Sequence, residues 1–97
     1  MEVTKNFENL TNQFINAETE QESEESFYEL IEWLDYDLNW YEKVSDEEWV
    51  QFVDQYYRKM ETNPESPLTF RALDMILNTY FEPETIEWLK DQVYLPF

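Results

Sequence analysis

The chain of 97 residues contains no cysteine, no histidine and no glycine. Without cysteine there is no disulfide framework, no thiolate metal site and no thiol nucleophile. Without histidine the usual near-neutral general base and the commonest transition-metal ligand are gone. Without glycine the P-loop, the dinucleotide fingerprint and the EF-hand turn cannot be built. Most enzyme classes fall with those residue types. Helix ends must also be made by asparagine, lysine or other residues in place of the preferred left-handed glycine. Long apolar runs are missing as well: MEVTKNFENL has no basic region leading into an apolar stretch, and nowhere do roughly 18 apolar residues stand in succession. The sequence reads as a soluble, cytoplasmic protein without a membrane span.

Positive charge is scarce too. Only 6 basic residues stand against 23 acidic ones, a formal net charge of −17. A field of that sign repels membrane surfaces and nucleic acid, favours basic partners, and destabilises the compact state by self-repulsion. Apolar residues are nevertheless plentiful, with 42% hydrophobic and 19% aromatic, which separates the chain from the disordered class. The length allows one domain, residues 1–97, with a core small enough that every buried side chain matters.

Hydrophobic spacing predicts an all-α fold, a compact bundle of about five helices, with no sustained period-two alternation to support a strand. Val3, Phe7, Leu10 and Phe14 recur at helical spacing, so a first helix is expected over about residues 4–17 with Thr4 as N-cap. An acidic linker is expected at about 18–25. Ser26 with Glu29 makes an S-x-x-E capping box for a second helix reaching to about Tyr41, although Ser23 would start it a turn earlier. Ser45 with Glu48 opens a third helix carrying Trp49, Phe52, Val53, Tyr56 and Met60 on its inner face. Ser66 before Pro67 reads as N-cap and N1 of a fourth helix with Ala72, Leu73, Ile76, Leu77 and Tyr80 inside. Glu82 before Pro83 repeats that signal for a fifth helix to about residue 93, with Ile86, Leu89 and Val93 facing the core and YLPF docking as an irregular tail.

Carboxylate pairs can do acid and base chemistry, but acids this dense produce pairs by chance. No histidine, glycine-rich loop or paired lysine motif stands beside them, so no catalytic residue is assigned and the chain reads as a non-enzyme. Asp35 and Asp37 point about 200° apart on a helix and cannot chelate one ion. Asp46, Glu47 and Glu48 have a simpler role opposite the positive end of the third helix. Neither a metal nor a cofactor is expected.

The sharpest feature is residues 18–48, which hold 13 of the 23 acids against the single base Lys43, a local net charge of −12. Projected at about 100° per residue, the second helix places Phe27, Leu30, Ile31, Leu34, Leu38 and Tyr41 inward and Glu25, Glu29, Glu32, Tyr36 and Asn39 outward. Trp33 and Trp40 fall on one shoulder of the acidic face, Tyr28 and Asp35 on the other. Carboxylates repeating about every 5.4 Å along a rod imitate, coarsely, the phosphates of a duplex. The candidate partner-binding residues are therefore Glu22, Glu24, Glu25, Glu29, Glu32 and Asp35, with Trp33, Tyr36 and Trp40 as an aromatic stripe at i, i+3, i+7. Aromatics of these types are favoured at interface hot spots.

Small size, extreme acidity, helical content and freedom from catalytic residues resemble phage-encoded DNA-mimic inhibitors of restriction and CRISPR nucleases, acting as anti-restriction or anti-CRISPR proteins. The resemblance is one of character across the whole chain, so no individual residue is carried over. It implies an inhibitor that occupies the basic nucleic-acid-binding surface of a DNA-binding protein or nuclease of a host defence system, without binding nucleic acid or membrane itself. Two other readings share the same composition. One is an immunity protein or antitoxin that plugs a cognate basic nuclease. The other is a scaffold subunit whose exposed aromatics make a homodimer, which would also extend the acidic surface.

Overall fold

The computed structural model describes residues 6–36 and 44–93, and these form an all-α bundle with five helices and no strand among the described residues. The first, α1 (Phe7–Ile15), starts three residues later than the spacing predicts. Asn6 is its cap: at φ −142° it leaves the helix, and its side-chain oxygen accepts the Asn9 N–H at 2.8 Å. Val3 and Thr4 lie outside the described residues.

The expected acidic linker is corrected by α2 (Glu20–Tyr36), which takes in most of it. Thr19 starts this helix, accepting the Glu22 N–H on its hydroxyl at 3.1 Å while its carbonyl accepts the Ser23 N–H at 2.9 Å. Glu22 reaches back so that its carboxylate accepts the Glu18 N–H at 3.4 Å. Ser26, read from the sequence as a cap, is instead a buried mid-helix residue. Its small side chain suits that inner position, and Thr19-x-x-Glu22 is the pattern that sets the start. The described helix ends at Tyr36, so Asp37, Leu38, Asn39, Trp40 and Tyr41 lie outside the described residues.

In α3 (Asp46–Thr62) the expected capping box is present. The Ser45 hydroxyl accepts the Glu48 N–H and the Glu48 carboxylate accepts the Ser45 N–H, both at 3.2 Å. Next, α4 (Phe70–Tyr80) begins at Thr69 rather than Ser66, with the Thr69 hydroxyl accepting the Ala72 N–H at 3.1 Å. Ser66 makes a local turn instead, its hydroxyl accepting the Leu68 N–H at 3.4 Å, which leaves Leu68 free to bury ahead of the helix. Finally α5 (Pro83–Asp91) has Pro83 in its first turn after Glu82, as the sequence predicts. The YLPF segment lies outside the described residues.

The lack of glycine shows at the other ends. No described residue takes a positive φ, and α1 and α3 stop on Asn16 at φ −92° and Asn63 at φ −135°. Their N–H groups bond the Asn12 and Lys59 carbonyls at 2.9 Å, so the chain leaves each helix without a left-handed cap.

Helix α3 is the central element, its Trp49, Phe52, Val53 and Tyr56 all buried. These share one core cluster with Phe7, Leu10 and Phe14 of α1, Leu30 and Leu34 of α2, Leu73, Ile76 and Leu77 of α4, and Ile86 and Leu89 of α5, and α2 packs chiefly on α1. Val93 is buried beyond the end of α5. Trp49 is the hub, with the Phe7 ring at 4.7 Å and the Phe81 ring at 5.0 Å edge-on. Such ring pairs contribute about 0.5–1.5 kcal/mol each beyond their area, a sizeable addition in a domain this small. Tyr56 ties the start of α4 to α3 as well: its hydroxyl donates to the Thr69 carbonyl at 2.6 Å and accepts the Thr69 N–H at 3.2 Å. No described helix is long and apolar enough to cross a membrane.

Candidate functional site

Because Leu30 and Leu34 turn inward, α2 turns outward a face that carries Glu25, Glu32 and Tyr36. Over 17 residues this helix is about 25 Å long. Glu20, Glu22, Glu24, Glu25, Glu32 and Asp35 are all exposed along it and Glu18 just before it, while Glu29 is half-buried on the flank shared with Trp33. A duplex of about 25 Å would carry about 15 phosphate charges, so this helix presents roughly half that density.

The predicted residues that are exposed divide into three groups. Glu25, Glu32 and Tyr36 form one exposed stripe, with Tyr36 90% exposed. Glu22 and Glu24 sit at the N-terminal end, exposed, although the Glu22 carboxylate is engaged with the backbone of Glu18. Asp35 lies on the opposite flank and is engaged by α4: the Tyr80 hydroxyl donates to its Oδ1 at 2.8 Å. Burial, and then the Asp35 carboxylate, push the Tyr80 phenol well above its ordinary pKa. Asp35 therefore serves as an internal tie between helices more than as a free carboxylate.

The three aromatics of the stripe differ in their surroundings. Trp33 is half-buried and packs against the core, because its shoulder position faces a neighbour that a lone helix projection does not contain. Of the three aromatics, Tyr36 is the exposed one among the described residues, and Trp40 lies outside them.

Four exposed apolar residues were not picked out as contacts from the sequence. Tyr28 on α2 is 60% exposed, Phe70 and Met75 on α4 58% and 52%, and Trp88 on α5 46%. Tyr28 and Met75 line one open groove of about 310 Å³ between α2 and α4, whose floor includes Phe14, Phe27 and Ala72. Trp88 lines a larger opening of about 590 Å³ between α3 and α5, beside Asp46, Val50 and Asp54. Tyr28 carried a legible signal, its place on the shoulder of the acidic face. Met75 carried none, since its exposure depends on what packs beside α4.

The few described cations are partly spent on internal pairs. Arg58 bonds Asp54 at 2.9 Å one turn away in α3, and Lys90 of α5 bonds Asp74 of α4 at 3.2 Å. Both pairs are solvated and contribute little to stability, but they remove positive charge from the outer field. The exposed carboxylates of α2 stand beside the groove that it forms with α4. Comparison with protein-family models, with curated proteins and with solved structures returns no match for this chain.

Proposed function

We propose that this protein is an acidic DNA mimic that occupies the basic nucleic-acid-binding surface of a DNA-binding protein or nuclease of a host defence system, in the cytoplasm. The observation that carries the reading is the run of exposed carboxylates along α2 within a chain of net charge −17. Such an array exchanges for phosphates as partner to lysine and arginine, and the long-range field speeds encounter. Since α2 alone reaches about half of duplex density, acids on other helices complete the footprint. Glu82, Glu84 and Glu87, all exposed at the start of α5, are available for that.

The test is capture from nuclease-treated bacterial lysate on the immobilised protein at low and then physiological salt. Nucleases or other DNA-binding proteins should be retained and then displaced by duplex DNA. Retention no better than on a polyglutamate support would overturn the proposal. In the triple variant Glu22→Gln, Glu25→Gln, Glu32→Gln, affinity for the captured protein should fall and its salt dependence flatten, with helical content unchanged by circular dichroism. An unchanged affinity would move the contact off α2.

A further inference from the structure

The groove between α2 and α4 pairs an apolar floor with a charged rim. At one end the helices are joined, the Tyr80 hydroxyl bonding Asp35 at 2.8 Å. At the other, the starts of both helices bracket open space. The Phe14 and Phe27 rings meet at 6.0 Å and 65°, and Phe27 meets Tyr28 at 5.7 Å and 81°, which makes a continuous aromatic surface from the core outward. Tyr28 and Met75, each more than half exposed, form its walls, while Glu20 and Glu24 line the same groove one helical turn apart.

We infer that this groove receives a basic amphipathic segment of the partner protein, one that presents an apolar side chain between lysines or arginines. The inference rests on the acidic-decoy reading and adds the place and chemistry of its anchor. Charge complementarity selects this occupant. The positive ends of the α2 and α4 dipoles also point here, each equivalent to roughly half a charge. Four full carboxylates, Glu18, Glu20, Glu22 and Glu24, are exposed around the start of α2 against one exposed cation, Arg71, in the first turn of α4, so the mouth stays anionic. A second copy of this chain would bring its own −17 charge against that rim and is disfavoured. A bare polyanion offers phosphate-like charge only. Here a flexible thioether and an aromatic ring lie beside the carboxylates, so an apolar side chain enters the groove while a guanidinium or ammonium meets Glu20 and Glu24 and stacks on the face of Tyr28.

The test uses two fluorescein-labelled peptides of equal charge, an amphipathic lysine/leucine helix of about 14 residues, roughly 21 Å and so comparable with α2, and a lysine/serine counterpart. The lysine/leucine peptide should bind the intact protein at least about tenfold more tightly by fluorescence anisotropy, and should shift the Met75 methyl resonance while leaving Met60 unmoved. Tyr28→Ala with Met75→Ala should abolish that advantage without weakening the lysine/serine peptide. Both side chains are exposed, and the methyl shift in the unmutated protein reads the groove independently of whether the variant folds. Equal affinities for the two peptides, or a silent Met75 methyl, would overturn the inference. So would sedimentation showing a dimer that Met75→Ala dissolves, since the occupant would then be a second copy. The two ideas fail separately: lysate proteins captured equally well by the double variant remove the groove and leave the decoy, whereas failed capture by the unmutated protein removes the decoy and leaves the peptide titration to judge the groove.

Discussion

Tyr56 shows how one side chain holds two helices and reports on both. Its ring is fully buried between Phe14 and Phe52, and its hydroxyl both donates to and accepts from the backbone of Thr69. Tyr56→Phe removes both bonds and leaves the Thr69 groups without that partner, so a loss of about 1–2 kcal/mol is expected in chemical denaturation. The same residue carries an alkaline signature. Burial, the largest cause, pushes its pKa up from 10.0 to about 12, against the opposing hydrogen bond to Thr69. The unfolded chain therefore gives up this proton first. Its contribution is complete below about pH 10 and is lost as pH rises towards about 12, on the order of 2 kcal/mol. Stability measured from pH 9 to about 12 should fall less steeply in Tyr56→Phe than in the unmutated protein. Tyr57 and Tyr80 are shifted in the same direction, so some alkaline slope persists in the variant.

Among the elements, α2 is the one whose extent and role depend most on local signals competing with one another. Two S/T-x-x-E patterns compete for its start, Thr19 with Glu22 and Ser26 with Glu29. The first is the one used, because a start at Ser26 would forgo the backbone bonds of the acidic turns before it and expose Phe27. Thr19→Ala should therefore lower the melting temperature, by about 0.5–2 kcal/mol of stability, and reduce helical ellipticity through fraying of the first turn. If α2 instead began at Ser26, the ellipticity of Thr19→Ala would match the unmutated protein. The inner faces of α3, α4 and α5 were legible in advance, since Trp49, Phe52, Val53, Tyr56, Leu73, Ile76, Leu77, Ile86 and Leu89 follow the helical period and are buried. The start of α4 was not. Ser66 and Pro67 carry the usual start signal, yet Leu68 is buried and Tyr56 holds Thr69, so a contact from another helix decides where α4 begins.

At the scale of the whole molecule, stability is a contest between a small aromatic core and self-repulsion among exposed carboxylates. The fold buries Trp49, Phe14, Phe52 and Tyr56 almost completely, while its two described ion pairs neutralise little of the excess charge. Salt shortens the reach of that repulsion, from about 14 Å at 0.05 M to about 4 Å at 0.5 M, while apolar burial is little affected. The melting temperature should therefore rise as sodium chloride is raised over that range, monitored by circular dichroism. A falling melting temperature would mean that attractive pairs outweigh repulsion. If the protein acts as the proposed acidic decoy, the same salt should weaken its binding to a basic partner, so stability and affinity should move in opposite directions.

Composition by itself settled that the chain is acidic and lacks the cysteine, histidine and glycine on which many catalytic sites depend. Periodicity by itself indicated an all-α bundle and most of its core, because the side of a helix that avoids water is written in every third or fourth residue. Tertiary structure decided which acids and aromatics are free. Asp35 is drawn into a bond with Tyr80, Trp33 packs against the core, and Tyr28 faces Met75 across an open groove. Each of these depends on residues far apart in the chain, and a one-helix projection contains no information about the neighbour that covers or uncovers its flank.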